Sequence, residues 1–112
     1  MSAGKHHIVI EQGSTFEMTL SLDEPAGTNK DLTGWSFRGQ IKKSAYADGP
    51  SATFSMIDLD LPNGIFKAVL SASATTGMDV GIETYDVEME HIDGTVIRLL
   101  QGRVTIASEV TT

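Results

Sequence analysis

The residues best suited to chemistry are three imidazoles, His6, His7 and His91, in a chain without cysteine. Histidine binds metals beside carboxylates, and Asp86, Glu88 and Glu90 run up to His91. Neighbouring strand residues face opposite ways, so His6 and His7 cannot both chelate from one regular strand. A surface or edge-strand position is the expectation for each. Asp58, Asp60 and Asp93 have the oxygen donors that calcium prefers, but their spacing is not that of an EF-hand loop, and solvated turn carboxylates are expected. Asp86, Glu88 and Glu90 recur every second residue. That spacing sets three like charges along one strand face, an arrangement that keeps a face wet rather than one that builds a general acid–base pair. No serine lies in a G-x-S-x-G elbow, and the glycines are not grouped before a helix as a phosphate loop requires. Without cysteine there is neither a thiol nucleophile nor a thiolate metal site. No catalytic, cofactor-binding or metal-binding residue is assigned, and the chain is expected not to be an enzyme and to need no cofactor. A small enzyme of the cupin or lipocalin sort, with His6, His7 and His91 around a pocket, is the competing reading.

The aromatic residues are few, at 6% of the chain. Trp35 alternates with Phe37 and Ile41, which predicts a core position. An exposed Trp35 beside Tyr46 and Tyr85 would instead suit stacking on a sugar ring.

These residues must be carried by short extended elements. Phe16, Met18, Leu20 and Leu22 recur at a period of two, as do Trp35, Phe37 and Ile41, then Ala52, Phe54 and Met56. Ile8 and Ile10, Ile65 to Leu70, Thr84 to Glu90, Thr95 to Leu100 and Val104 to Val110 supply further strands. Gly102 is read as a bulge between the last two. Asp23 to Asn29, Asp48 to Pro50, Pro62 to Gly64 and Asp93-Gly94 are turns, the last a hairpin signal. Ser71 to Val80 breaks the alternation, and its Ser and Thr residues predict one short helical turn near 73–80. The expectation is an all-β, roughly seven-stranded antiparallel β-sandwich occupying residues 1–112 as a single domain.

At 112 residues and 40% hydrophobic content the chain can bury a core. Eight basic residues face fifteen acidic ones, for a formal net charge of −7. That balance disfavours nucleic acid and anionic membranes as partners; Lys42-Lys43 is the only adjacent basic pair. No apolar run reaches the length of a bilayer span, and Met1 to His7 has no signal-like apolar stretch behind it, so neither membrane insertion nor secretion is expected.

The ordered features Glu11-Gln-Gly13-x-x-Phe16, Asp31-Leu-Thr-Gly34-Trp35 and Asn63-Gly64-Ile65-Phe66 resemble a known group. Thr75 to Gly81 with Tyr85-Asp86, and Asp93-Gly94 with Leu99-Leu100-x-Gly102-x-Val104, complete the pattern. It resembles small immunoglobulin-like β-sandwich domains of tailed-bacteriophage virions, typified by N-terminal domains of baseplate proteins. Asp31 to Gly34 would be a register-setting turn with Leu32 as its core anchor. Tyr85 would re-enter the sandwich, although it lies too far from Asp79-Val-Gly81 for a regular tyrosine corner. The resemblance implies a non-catalytic structural or interaction component of a phage particle, in tail, baseplate or neck. It implies other phage structural proteins as partners, a homo-oligomer in the particle, and assembly in the bacterial host cytoplasm. The alternative is a carbohydrate- or surface-binding adhesion domain using Trp35, Tyr46 or the loop from Pro25 to Asn29. No interaction surface is assigned by the sequence.

Overall fold

Period-two patterning becomes two facing β-sheets in the computed structural model, which describes residues 4–22 and 30–110. Strands β1 (Gly4–Lys5), β2 (Ile8–Glu11), β4 (Trp35–Lys42), β5 (Ala52–Thr53), β8 (Gly81–His91) and β9 (Val96–Ala107) form the larger sheet. The smaller sheet is β3 (Phe16–Ser21), β7 (Ile65–Leu70) and β6 (Ser55–Asp60), in that spatial order. The inner faces meet in one core. Phe66, Ala68 and Leu70 of β7 oppose Tyr85, Val87 and Met89 of β8, with Ile10, Ile41, Val104 and Ile106 beside them. Phe37 stacks on Phe66 across the layers, with ring centroids 3.9 Å apart.

The all-β sandwich agrees with the sequence pattern. Among the described residues seven strands have four or more residues, and β1 and β5 are two-residue additions. Three features differ from the expectation, each for a physical reason. First, Ala52 to Met56 is not one strand. At Phe54 the chain leaves the larger sheet for the smaller, and the buried Phe54 ring sits at the crossing while its N–H donates to Gly39 O at 2.9 Å. Second, β1 and β2 pair with β9 in parallel, with Ile8 opposite Val104 and Ile10 opposite Ile106, so the sandwich is not wholly antiparallel. Third, β9 is continuous through Gly102, and the register slip falls at Leu99, between the pairs Val87–Leu100 and Glu88–Arg98.

The helical turn exists but is displaced. Helix α1 (Ala72–Thr76) starts on Ser71, whose Oγ accepts from Ala74 N at 3.2 Å, and ends at Gly77 rather than near Gly81. It stops there because Met78 turns into the core. Buried Thr75 donates through Oγ1 to Ser14 O at 2.8 Å, pinning α1 to the turn before β3. Gln12 in that turn donates to Met78 O at 2.7 Å and accepts from Glu109 N at 3.2 Å, which explains the polar residue before Gly13.

The turns read from the sequence close on side chains. Asp31 Oδ1 accepts from Thr33 N at 2.9 Å, Leu32 is fully buried, and Gly34 takes φ +88° before β4 begins. In the β8–β9 hairpin, Asp93 Oδ1 accepts from Thr95 N at 2.8 Å, and only Gly94 has positive φ. Both carboxyls are held below their ordinary value, Asp31 chiefly by the Thr33 backbone N–H and Asp93 chiefly by the Thr95 side chain, with its N–H second. A depressed folded pKa gives stabilisation that is complete above the unfolded value and is lost as pH falls through the folded one. Asp93→Asn and Asp31→Asn are therefore expected to lower the urea midpoint at neutral pH, with the difference from wild type shrinking at about pH 2.5. Equal differences at both pH values would contradict this.

Candidate interaction surface

The outward face of the larger sheet is a grid whose rows follow from the strand register. Along β8 the outward positions are Thr84, Asp86, Glu88 and Glu90, alternating with buried Tyr85, Val87 and Met89. Strand β4 sets Lys42, Gln40, Arg38 and Ser36 against them. Strand β9 sets Arg103, Gln101, Arg98 and Val96 on the other side, with the slip at Leu99 keeping Arg98 outward and opposite Glu88.

The three carboxylates therefore do not stand as an unrelieved acidic stripe. Arg38 donates to Glu88 at 3.0 Å and to Glu90 at 2.7 Å. From the opposite strand Arg98 lies 3.6 Å from both Asp86 and Glu88. Sequence reasoning missed both arginines. The only available signal was their placement on strands flanking β8, which needs the register to be read. Partial burial, followed by the charge of Glu88, pushes the Asp86 carboxyl above its ordinary value, while Arg98 and Lys42 oppose that rise.

Beyond this network the face changes sign. Lys42, Thr84 and Arg103 form one row across three strands, and Lys5 joins the next row through its pairing with Gln101. These positions line an open concavity of about 880 Å³ that also includes His6 and His7. Its wall at β9 depends on Gly102. A Cβ there would collide with His6 O, so only glycine lets the link between β1 and β2 settle against the sheet. Tyr85, opposite Gly102, donates its hydroxyl to that same His6 O at 2.6 Å. Burial raises the Tyr85 phenol to about 12, so it remains a donor throughout the physiological range. The partner lies 79 residues away, so this contact is not a tyrosine corner.

The histidines do not converge. His7 Nε2 lies 2.7 Å from Thr105 Oγ1, and His6 sits over Gly102. His91 is six residues along β8 from Tyr85, roughly 20 Å at strand rise, and packs on Trp35 with ring centroids 4.9 Å apart. Asp60 accepts from Asn63 at 2.9 Å, whereas Asp93 is engaged in its own turn. Among the described residues no group of three or more His, Asp or Glu is gathered to hold a metal. Glu83, pointing inward at the end of β8, is the one buried carboxylate of the described core, and it accepts a 2.5 Å hydrogen bond from Ser51 Oγ.

Trp35 faces inward on β4 and packs against the core, as expected, but it is only half-buried at the sandwich end. The Lys30 ammonium lies 5.7 Å from its ring centroid, on the margin of a shallow hollow shared with His91 and Ile92. Tyr46 is almost fully exposed in the β4–β5 connection. The loop from Pro25 to Asn29 lies outside the described residues.

No protein-family model matches the sequence, and no curated protein matches it. Solved structures do show likeness, to different degrees. The N-terminal domain of phage TP901-1 ORF48 superposes with a TM-score of 0.53 at 14% identity, covering 96% of this chain and 99% of that one. A putative α-galactosidase from Bacteroides fragilis covers 96% of this chain at 17% identity, but only 17% of its own length, with a TM-score of 0.35. A family 123 glycoside hydrolase from Clostridium perfringens gives a TM-score of 0.41 at 10% identity, covering 97% of this chain and 24% of its own. The chain thus has the sandwich fold of the phage domain over nearly the full length of both.

Proposed function

We propose that the chain is a non-catalytic structural component of a bacteriophage particle that acts by binding other virion proteins. The observation that carries this reading is the fold likeness to the phage TP901-1 domain over 96% of this chain and 99% of that one. The likeness runs through nearly the whole of both chains and is not confined to a few strands. On this reading residues 1–112 act as one immunoglobulin-like domain, placed in tail, baseplate or neck, present in several copies and assembled in the bacterial host cytoplasm. Nucleic acid and anionic membranes are disfavoured as its partners, since a net charge of −7 opposes both.

The test is co-expression of the tagged chain with the structural proteins encoded beside its gene, followed by mass photometry of what co-purifies. A complex of fixed stoichiometry is expected. A chain that remains monomeric and retains none of those proteins would overturn the reading.

A second reading, carbohydrate or surface adhesion, is favoured by the half-exposed Trp35 beside His91 and Lys30. Trp35 is the only tryptophan, so its fluorescence reports on this hollow alone. With its inward face on the core and His91 across its ring, its emission is expected not to respond to added mono- and oligosaccharides. A saturable sugar-dependent shift would favour adhesion instead.

A further inference from the structure

The concavity on the outer face of the larger sheet has a local charge opposite to that of the chain. It holds four of the eight Lys and Arg residues, Lys5, Lys42, Arg98 and Arg103, but only two of the fifteen carboxylates, Asp86 and Glu88. Those two carboxylates are already engaged by Arg98, and Glu88 also by Arg38. Lys5, Lys42 and Arg103 make no ion pair or side-chain hydrogen bond among the described residues. Three cations thus stand on strands of one sheet with no ion pair of their own, Lys42 acting on Asp86 only at longer range, in a chain whose charge is otherwise strongly negative.

We propose that this concavity binds an extended acidic segment of a neighbouring polypeptide. The inference rests on the reading of the chain as an interaction component and names the surface and the chemistry of its partner. Lys42 and Arg103 flank Thr84 on adjacent strands, so their backbones lie roughly 10 Å apart. Carboxylates at i and i+2 of an extended chain point the same way about 7 Å apart, within reach of both long side chains. Gln40 and Gln101 flank Asp86 in the next row, and their amides can bond the backbone of a segment lying across the strands. Range decides which anion fits. At physiological ionic strength charges are screened beyond about 8 Å, so a short segment inside the concavity feels these cations and little of the remaining surface. A long polyanion such as DNA extends past the concavity and meets the acidic remainder.

The probe is a capped ten-residue peptide of alternating Glu and Ser, titrated into the full isotope-labelled chain and followed by amide chemical shifts. Shifts centred on Lys42, Thr84, Gln101 and Arg103 are expected, with affinity falling about tenfold or more between low and high salt. Lys42→Glu with Arg103→Glu should abolish those shifts while leaving the amide spectrum of the smaller sheet unchanged, and the milder Lys42→Gln with Arg103→Gln should weaken them. Shifts elsewhere, no shifts, or equal shifts with a DNA decamer would each overturn the proposal. So would concentration-dependent shifts on this face without peptide, which would assign it to a second copy. If a virion protein still co-purifies with the Lys42→Glu, Arg103→Glu chain, this surface is wrong while the phage reading stands. If none co-purifies with wild type, that reading itself fails.

Discussion

Phe66→Ala is expected to destabilise the chain by about 3–5 kcal/mol, the usual cost of emptying a large buried aromatic site. Phe66 is fully buried on the central strand of the smaller sheet and stacks face to face on Phe37 of the larger. It is therefore a large part of the contact between the two layers. Neighbours cannot collapse into the gap, because β7 is held on both sides, by β3 and β6. A domain of this size has about 5–15 kcal/mol in total, so the variant should melt some 15 °C lower and populate unfolded chain at 37 °C. Circular dichroism melts measure this directly. A loss below 1 kcal/mol would mean that the layers are joined elsewhere.

Gly102→Ala comes next, at about 3 kcal/mol. The added methyl meets the His6 carbonyl, so the link between β1 and β2 must lift from the sheet, and overpacking of that kind usually costs about 1–3 kcal/mol. Lifting it also breaks the Tyr85 bond to the same carbonyl and leaves a part-buried hydroxyl without its acceptor. Tyr85→Phe removes that bond alone and is expected to cost about 1–2 kcal/mol. The double variant should then cost less than the sum, since both changes act through His6 O. Gly49→Ala is the control. Nothing lies within 4 Å of a Cβ at Gly49, and the change should stay within about 0.5 kcal/mol of wild type. Additive losses at Gly102 and Tyr85 would show that the two do not share the contact.

The sandwich was readable from residues such as Phe16, Met18 and Leu20, because a one-sided strand writes its burial into every second position. The turns at Asp31 to Gly34 and Asp93-Gly94 were readable for a related reason, since their closing hydrogen bonds span only two residues. What the sequence hid depends on partners distant in the chain. The sheet switch at Phe54 leaves the alternation unbroken on both sides. The role of Gly102 was mistaken for a bulge because its contact, His6, lies at the other end of the sequence. The charged face was half legible. Asp86, Glu88 and Glu90 announce a wet strand, but their neutralisation by Arg38 and Arg98, and the unpaired row of Lys42 and Arg103, exist only once three strands are in register.

The parallel pairing of β2 with β9 has a consequence for how the protein is made. Ile8 to Glu11 find their partners at Val104 to Ala107, so the ladder that completes the larger sheet spans almost the entire chain. Such distant pairings slow folding, to the millisecond-to-second range typical of β-sandwiches. During synthesis the early strand β2 waits, with Ile8 and Ile10 uncovered, until β9 has left the ribosome. The main refolding phase should accordingly be slow, with closure at β2–β9 coinciding with burial of Tyr85, followed by minor slower phases from isomerisation at the three prolines. The concavity, which needs residues from β1, β4, β8 and β9 together, comes into being only when that ladder closes, so a partner that recognises it engages the closed sandwich and passes over chains whose β2 is still unpaired.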